Sequence, residues 1–313
     1  MTENNKVVRI SNSEIQTFKD CRRRWWLTYY RGLQPKVQEF TGALAFGSRI
    51  HAALDTHYSQ NVPLLQAHAD LVDADKKILL ENFEDTSNLE SEAEMGRIML
   101  EGYEQWVAEE GIDAELEMVS TEEKIVVPMF NGEVELQGKI DMRVRRKADG
   151  VKLFRDFKTV GGSLDEFAGT ANMNEQILTY MILEKLKHGE EEQRTEGGIF
   201  TMLKKVKRTA ASKPPYYKQI EVRHNIFALR NFWLRIHGVL TDMMNVRKAL
   251  DAGEPHHFVA YPRPTTRDCK WKCQFFAICP MFDNGEAVEE VVSDLYKEAD
   301  PYAYYETEKK GSE

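Results

Sequence analysis

Gly138-Lys139-Ile140-Asp141, followed fifteen residues beyond Asp141 by Asp156-Phe157-Lys158, is the stretch from which the fold of this chain is read. Around it the apolar residues alternate. Val134, Leu136, Ile140, Met142 and Val144 fall on one side, and Glu133, Glu135, Gln137, Lys139, Asp141, Arg143 and Arg145 on the other. A period of two marks a half-buried strand. Asp149-Gly150 supplies a hairpin-type turn, and Val151 to Lys158 is a second strand. Asp156 and Lys158 are two apart, so they share a face. Pairing the strands brings Asp141 and Asp156 together on that face. Two carboxylates aimed at one spot repel unless a cation lies between them. A small set of hard oxygen donors suits Mg²⁺ or Mn²⁺. The neighbouring lysine can hold a phosphate oxygen or orient a water.

These parts are the minimum for metal-assisted phosphodiester hydrolysis. The arrangement resembles the PD-(D/E)xK nuclease superfamily, in which an aspartate on one strand and D/E-x-K on the next bind the metal and activate water. Ile140 stands where that motif often has proline. Taken alone, D-x-K also fits two solvated charges on a surface hairpin.

The chain has 313 residues, long enough for one large domain or two ordinary ones. Its 42% hydrophobic and 30% charged content suits a globular rather than a disordered chain. No apolar run reaches membrane-spanning length. Met1-Thr2-Glu3-Asn4-Asn5-Lys6 is polar and carries no signal-peptide core, so the expected compartment is the cytoplasm. A net charge of −9 argues against a protein that coats DNA by charge alone, while a nuclease needs only a local basic track. In a reducing compartment the four cysteines, Cys21, Cys269, Cys273 and Cys279, are metal ligands or core residues more often than disulfides.

Ser11 and Glu14 form a capping box that starts a helix expected to run to about Tyr30. Arg22-Arg23-Arg24 lies among its aromatics. Two readings fit: aromatics in the core with arginines on a solvated face, or a grip on the backbone and bases of single-stranded DNA. A second helix, about Ala43 to Tyr58, holds Gly47-Ser48-Arg49-Ile50-His51. Residues 62–112 read as helices, about Pro63 to Glu84 and Ser91 to Glu110, forming a cap over one edge of the core. Glu117 to Phe130 is a strand or a pair of strands, and Asn131-Gly132 a hairpin turn. Thr159 to Gly169 reads as a loop. A helix from about Asn172 to His188 places Gln176 and Tyr180 on one face. Gly198 to Leu203 and Tyr216 to Val222 are further strands. Between them Lys204, Lys205, Lys207 and Arg208 form either a solvated loop or a phosphate track. His224 to Leu250 is a long core-packing helix.

Cys269, Cys273 and Cys279 are spaced C-x₃-C-x₅-C, which does not fit a zinc knuckle or ribbon. With a distant fourth thiolate they can close an iron–sulfur cluster. The order cysteine, G-x-x-x-H, G-x-I-D, D-x-K, Q-x-x-x-Y, cysteine trio resembles RecB/AddB-type nucleases, including the exonucleases of CRISPR adaptation (Cas4-type) and their phage relatives. That family usually spells the first pair C-x₂-C.

The resemblance implies an α/β, restriction-endonuclease-like core, a central mixed sheet flanked by helices. A 4Fe-4S cluster on Cys21, Cys269, Cys273 and Cys279 would tie the terminal segments together. It implies a Mg²⁺ or Mn²⁺ ion on His51, Asp141, Asp156 and the Phe157 carbonyl. Lys158 would stabilise phosphate charge or orient the water, with Gln176 and Tyr180 positioning the strand. The expected function is a Mg/Mn-dependent DNA nuclease, an exonuclease on single strands or free ends. The expected organisation is one nuclease domain over residues 1–283 with a helical insertion at about 62–112, then an acidic tail over 284–313. The rivals are a DNA-binding or adaptor subunit that kept the fold, and a structural zinc protein.

Overall fold

Alternation of apolar and polar residues around Asp141 becomes the central strand of a six-stranded sheet in the computed structural model, which describes residues 7–37, 39–189 and 195–303, apart from the Trp271 side chain. The chain begins with β1 (Val8–Ser11), α1 (Asn12–Asp20), α2 (Arg22–Trp25) and β2 (Leu33–Pro35). Three helices follow: α3 (Gly42–Gln60), α4 (Leu64–Glu81) and α5 (Ser87–Glu110). The middle holds β3 (Leu116–Met129), β4 (Val134–Arg146), β5 (Lys152–Val160), α6 (Leu164–Thr170), α7 (Glu175–His188), β6 (Thr195–Lys204) and β7 (Tyr217–Arg223). The chain then runs through α8 (Ile226–Asp251), α9 (His256–Val259), α10 (Arg267–Lys272), α11 (Val288–Leu295) and β8 (Tyr296–Glu298).

The sheet is mixed. Its order is β1-β4-β5-β6-β7, with β3 also on β4; β1 on β4 and β5 on β6 are parallel, while β4 on β5 and β6 on β7 are antiparallel. A parallel pair needs a crossover, and α7 supplies it between β5 and β6. An α/β fold with a mixed central sheet and flanking helices is what the resemblance implied.

By contact the described chain forms two compact units: residues 39–127 and 138–229, and residues 7–37, 128–137 and 230–303. In the first, Phe46, Ile50, Ala53 and Leu54 of α3 recur at helical spacing and meet Leu100 and Tyr103 of α5 over Val144, Leu153 and Phe157 of the strands. Burying each large apolar side chain is worth about 1.5–3 kcal/mol. This core holds α3 against the sheet. The second unit contains all four cysteines and a buried Glu14, whose carboxylate accepts from Trp25 Nε1 and Arg247 Nη2, both at 2.8 Å.

Several expected boundaries shift for local reasons. The first helix starts as expected, with Ser11 Oγ accepting from the Glu14 N–H at 3.2 Å. It does not run on to Tyr30, because Cys21 is extended (φ −156°, ψ 111°) and splits it into α1 and α2, with a π-helical turn at Trp26–Tyr30. The helix expected to reach Glu84 stops at Glu81. There the Phe83 N–H bonds to Leu80 O and the Glu84 N–H to Leu79 O, the paired closure of a Schellman end, with Phe83 at φ 59°. The next helix starts at Ser87 rather than Ser91. The expected loop after Lys158 contains α6, capped by Ser163, whose hydroxyl accepts from the Glu166 N–H. α11 occupies part of the expected tail; residues 304–313 of that tail, like residues 1–6, lie outside the described residues.

Candidate active site and cysteine cavity

The β4–β5 ladder runs from Arg145↔Lys152 to Met142↔Arg155. Asp141 and Asp156 are the first residues beyond it, so backbone pairing ends where the carboxylates begin. Asp141 Oδ2 accepts from the backbone N–H of Phe157 at 3.2 Å, a side chain standing in for a missing ladder bond.

Two glycines admit the neighbouring helices. A Cβ at Gly138 would lie 2.7 Å from Leu183 Cδ1 and 3.2 Å from the Tyr180 ring, so glycine lets α7 close on β4 there without displacing those side chains. A Cβ at Gly47 would lie 3.2 Å from Thr159 Oγ1, the corresponding close approach of α3 to β5. These contacts give the glycines of G-K-I-D and G-x-x-x-H a physical meaning.

On the α7 face a chain of polar contacts links the expected residues. Lys158 Nζ donates to Gln176 Oε1 at 2.7 Å and lies 2.6 Å from Asp156 Oδ2. Gln176 Nε2 donates to Asp156 Oδ1 at 2.6 Å and to the Tyr180 hydroxyl at 2.8 Å. Tyr180 in turn donates to the Lys139 carbonyl at 2.7 Å. From α3, His51 Nδ1 reaches Asp141 Oδ2 at 3.3 Å. His51, Asp141, Phe157 and Met142 line a cavity of about 10 Å³ together with Asp55 and Glu122. That is room for about one water or small ion.

Burial sets the electrostatics. Asp156 is 1% exposed, and loss of hydration pushes its carboxyl up to about 6, with Asp141 adding to the rise against the pull of Lys158. Burial acts on Asp141 in the same sense, but the hydrogen bond and charge of His51, with Lys158, hold its carboxyl below the ordinary range. Burial works against a charged His51, and Asp141 and Asp156 outweigh it, so the imidazole is raised. The donor set is hard and anionic and fits a divalent cation in type. As placed, no three His, Cys, Asp or Glu side chains among the described residues stand in a metal-holding group.

Glu122 and Asp55 were not singled out from the sequence. Glu122 enters the cavity from β3, where its own backbone is left-handed (φ 50°), and it forms an ion pair with Lys139. Burial raises its carboxyl. Lys139, two residues before Asp141 on the same face, was the one legible pointer toward it.

The cysteines belong to the other unit. Cys21, Cys269 and Cys273 line an open cavity of about 330 Å³ with Arg24, Arg263 and Lys272. All four thiols are free and half-exposed. Burial pushes Cys273 and Cys279 up, and the nearby Cys21 adds to both. Cys269 is lowered by the Thr266 backbone, then by Arg263. The donors fit a thiolate-ligated group in kind and number, although Cys279 does not line the cavity and no three of them stand in a metal-holding group among the described residues.

The candidate DNA-binding residues have varied placements. Arg22 pairs with Asp242 and lies over Phe18 and Tyr261. Arg23 is 1% exposed and grips Asp283 with both terminal nitrogens at 2.6 and 2.8 Å. Arg24 borders the cysteine cavity. Lys205 sits over Phe46 at 4.1 Å beside Glu92, and Arg208 lies 3.4 Å over Tyr216 and donates to Tyr217. Lys204 is half-buried and Lys207 exposed.

The family model described as the PD-(D/E)XK nuclease superfamily matches residues 9–280 of the chain. No curated protein matches it in sequence.

Proposed function

The chain belongs to the PD-(D/E)XK nuclease superfamily, and from that premise we propose that it is a Mg²⁺- or Mn²⁺-dependent deoxyribonuclease, an exonuclease on single strands or free ends. Membership implies a nuclease and a nucleic-acid substrate; no helix among the described residues is long and apolar enough to cross a membrane. The observation that carries the reading is the continuous contact chain Lys158–Gln176–Asp156 beside the Asp141–His51 pair. Preference for ends and a single nuclease domain spanning residues 1–283 follow the RecB-like motif order.

In this reading His51, Asp141, Asp156 and the Phe157 carbonyl would hold the cation; His51, Asp141 and Phe157 line the small cavity with Glu122, whereas Asp156 does not line it and has its carboxylate engaged by Gln176 and Lys158. The bound cation supplies Lewis-acid polarisation of the scissile phosphate and makes water a better nucleophile. Lys158 neutralises charge developing on the phosphate. Gln176 keeps Lys158 and Asp156 in register through the oxygen and nitrogen of its one amide group, and Tyr180 anchors Gln176 to the β4 backbone. Cys21, Cys269, Cys273 and Cys279 hold a 4Fe-4S cluster in the proposed protein. Its support is four free thiols, three of them around one cavity of adequate size.

The test is a time course on end-labelled single- and double-stranded DNA with Mg²⁺, Mn²⁺ or chelator. Progressive, chelator-sensitive loss from the ends is expected. DNA binding without cleavage would favour an adaptor subunit. Iron and acid-labile sulfide, measured after anaerobic purification, are expected at about four each per chain; stoichiometric zinc without sulfide would favour a structural zinc site.

A further inference from the structure

Immediately behind the candidate site is a buried polar knot that the proposed chemistry does not use. Arg155 is the last residue of β5 paired to β4 before Asp156, and it points to the face opposite Asp156 and Lys158. It is 1% exposed. Its guanidinium donates from Nε to Thr201 Oγ1 at 3.1 Å, from Nη1 to Asp113 Oδ1 at 2.7 Å and from Nη2 to the Tyr103 hydroxyl at 3.0 Å. The Tyr58 hydroxyl closes the knot, 2.8 Å from the Tyr103 hydroxyl and donating to Asp113 Oδ2 at 2.6 Å. The Tyr58 ring stacks on Phe157 with centroids 5.9 Å apart, and the Arg155 guanidinium lies over both rings.

These partners tie α3 to β5. Tyr58 and His51 are seven residues apart on α3 and so share one side of the helix. Phe157, under the Tyr58 ring, is the residue whose N–H holds Asp141. A slide of α3 along the strand would separate His51 from Asp141, and apolar packing alone tolerates small slides because it is non-directional. A planar guanidinium with three fixed partners does not. A lone buried charge would be costly, and here Asp113 compensates it.

We propose that Arg155 and Tyr58 are positioning residues, whose shared network with Asp113 and Tyr103 fixes α3 on β5 and sets His51 against Asp141 for cation binding. The inference rests on the nuclease reading above, because that reading gives His51 and Asp141 their cation.

The test is a double-mutant cycle read by direct Mn²⁺ binding, using calorimetry on the purified full chain. Tyr58→Phe keeps the ring stack and removes only the hydroxyl. It is expected to weaken Mn²⁺ binding about tenfold, and His51→Ala to weaken it by at least as much. Tyr58→Phe added to His51→Ala is expected to cause no further loss, because the hydroxyl acts only through the histidine. Arg155→Lys, which keeps the charge and loses the fork, is expected to resemble Tyr58→Phe. Losses that add in the double variant, or Mn²⁺ binding unchanged in Tyr58→Phe, would overturn the inference while leaving the nuclease reading intact. A wild-type chain that neither binds Mn²⁺ nor cleaves DNA would overturn both. Should Arg155→Lys not fold, as its melting curve would reveal, the Tyr58→Phe cycle decides alone.

Discussion

The carboxylate site and the cysteine cavity are built on opposite principles. In the first, every candidate residue is held by another: Lys158 by Gln176, Gln176 by Asp156 and Tyr180, Asp141 by His51 and the Phe157 N–H. The second is a cavity of about 330 Å³ bordered by free thiols. Paired charges can be arranged in advance, because each neutralises part of its neighbour's desolvation. Thiols have no comparable partner among protein groups, since S–H is a weak donor and acceptor. One region is therefore preorganised by the chain itself, while the other would take its stability from the proposed cluster.

The largest effect that tests this contrast is on stability. Cys21→Ala is expected to lose iron and melt well below wild type. A cross-link between Cys21 and the C-terminal trio closes a very long loop, and the analogous disulfide scale is on the order of 5 kcal/mol. A wild-type chain that folds without iron, with an unchanged melting temperature in Cys21→Ala, would break the contrast, leaving the cysteines as packing residues.

Next in size is Asp156→Asn, which is expected to lower cleavage by about 10³-fold while raising stability at neutral pH. The sign follows from burial. The Asp156 carboxyl is lifted from 3.8 to about 6. The folded chain thus binds the proton more tightly than the unfolded chain, and the stability this contributes is present below the ordinary value and lost as pH rises through about 6. Above that pH the ionised group costs on the order of 3 kcal/mol, an upper bound for what Asn recovers. Melting curves from pH 4 to 8 check it: wild type and variant should diverge as pH rises. Curves that stay parallel would mean that Asp156 is not strained by burial.

The smallest effect concerns the basic run. Lys204→Ala with Lys207→Ala is expected to make the slope of log affinity against log salt shallower by roughly 1.4 on single-stranded DNA, as two lost phosphate contacts require. Lys205→Ala, beside Glu92 and over Phe46, should instead lower the melting temperature with little change in slope. Filter binding of a single-stranded oligonucleotide across a salt series separates the two. An unchanged slope in the double variant makes the run a solvated loop.

The motif residues of the carboxylate site were legible because strand and helix periods assign faces without any tertiary information. Asp156 with Lys158, and Gln176 with Tyr180, follow from spacings of two and four. Their joining into one chain of contacts was not legible, since it depends on α7 crossing over β5 and on the missing Cβ of Gly138. The break at Cys21 was hidden for the reverse reason. Its flanking sequence has good helical character, yet the residue is extended, and two residues on the Arg23 N–H bonds to the distant Tyr261 carbonyl at 3.1 Å.

By itself, then, the sequence determined the strand pairing around Asp141 and Asp156, which arises from local periodicity and turn chemistry, while the mixed α/β architecture was implied by the resemblance that the motif order carries. Tertiary structure alone decided that Glu122 of β3 enters the cavity, that Arg23 is buried against Asp283, and that Arg155 is knotted to Tyr58, Tyr103 and Asp113. Each of these depends on a charge finding its partner across a long separation in sequence. Desolvation makes such a partner obligatory once the group is buried, but no local pattern names which residue it will be.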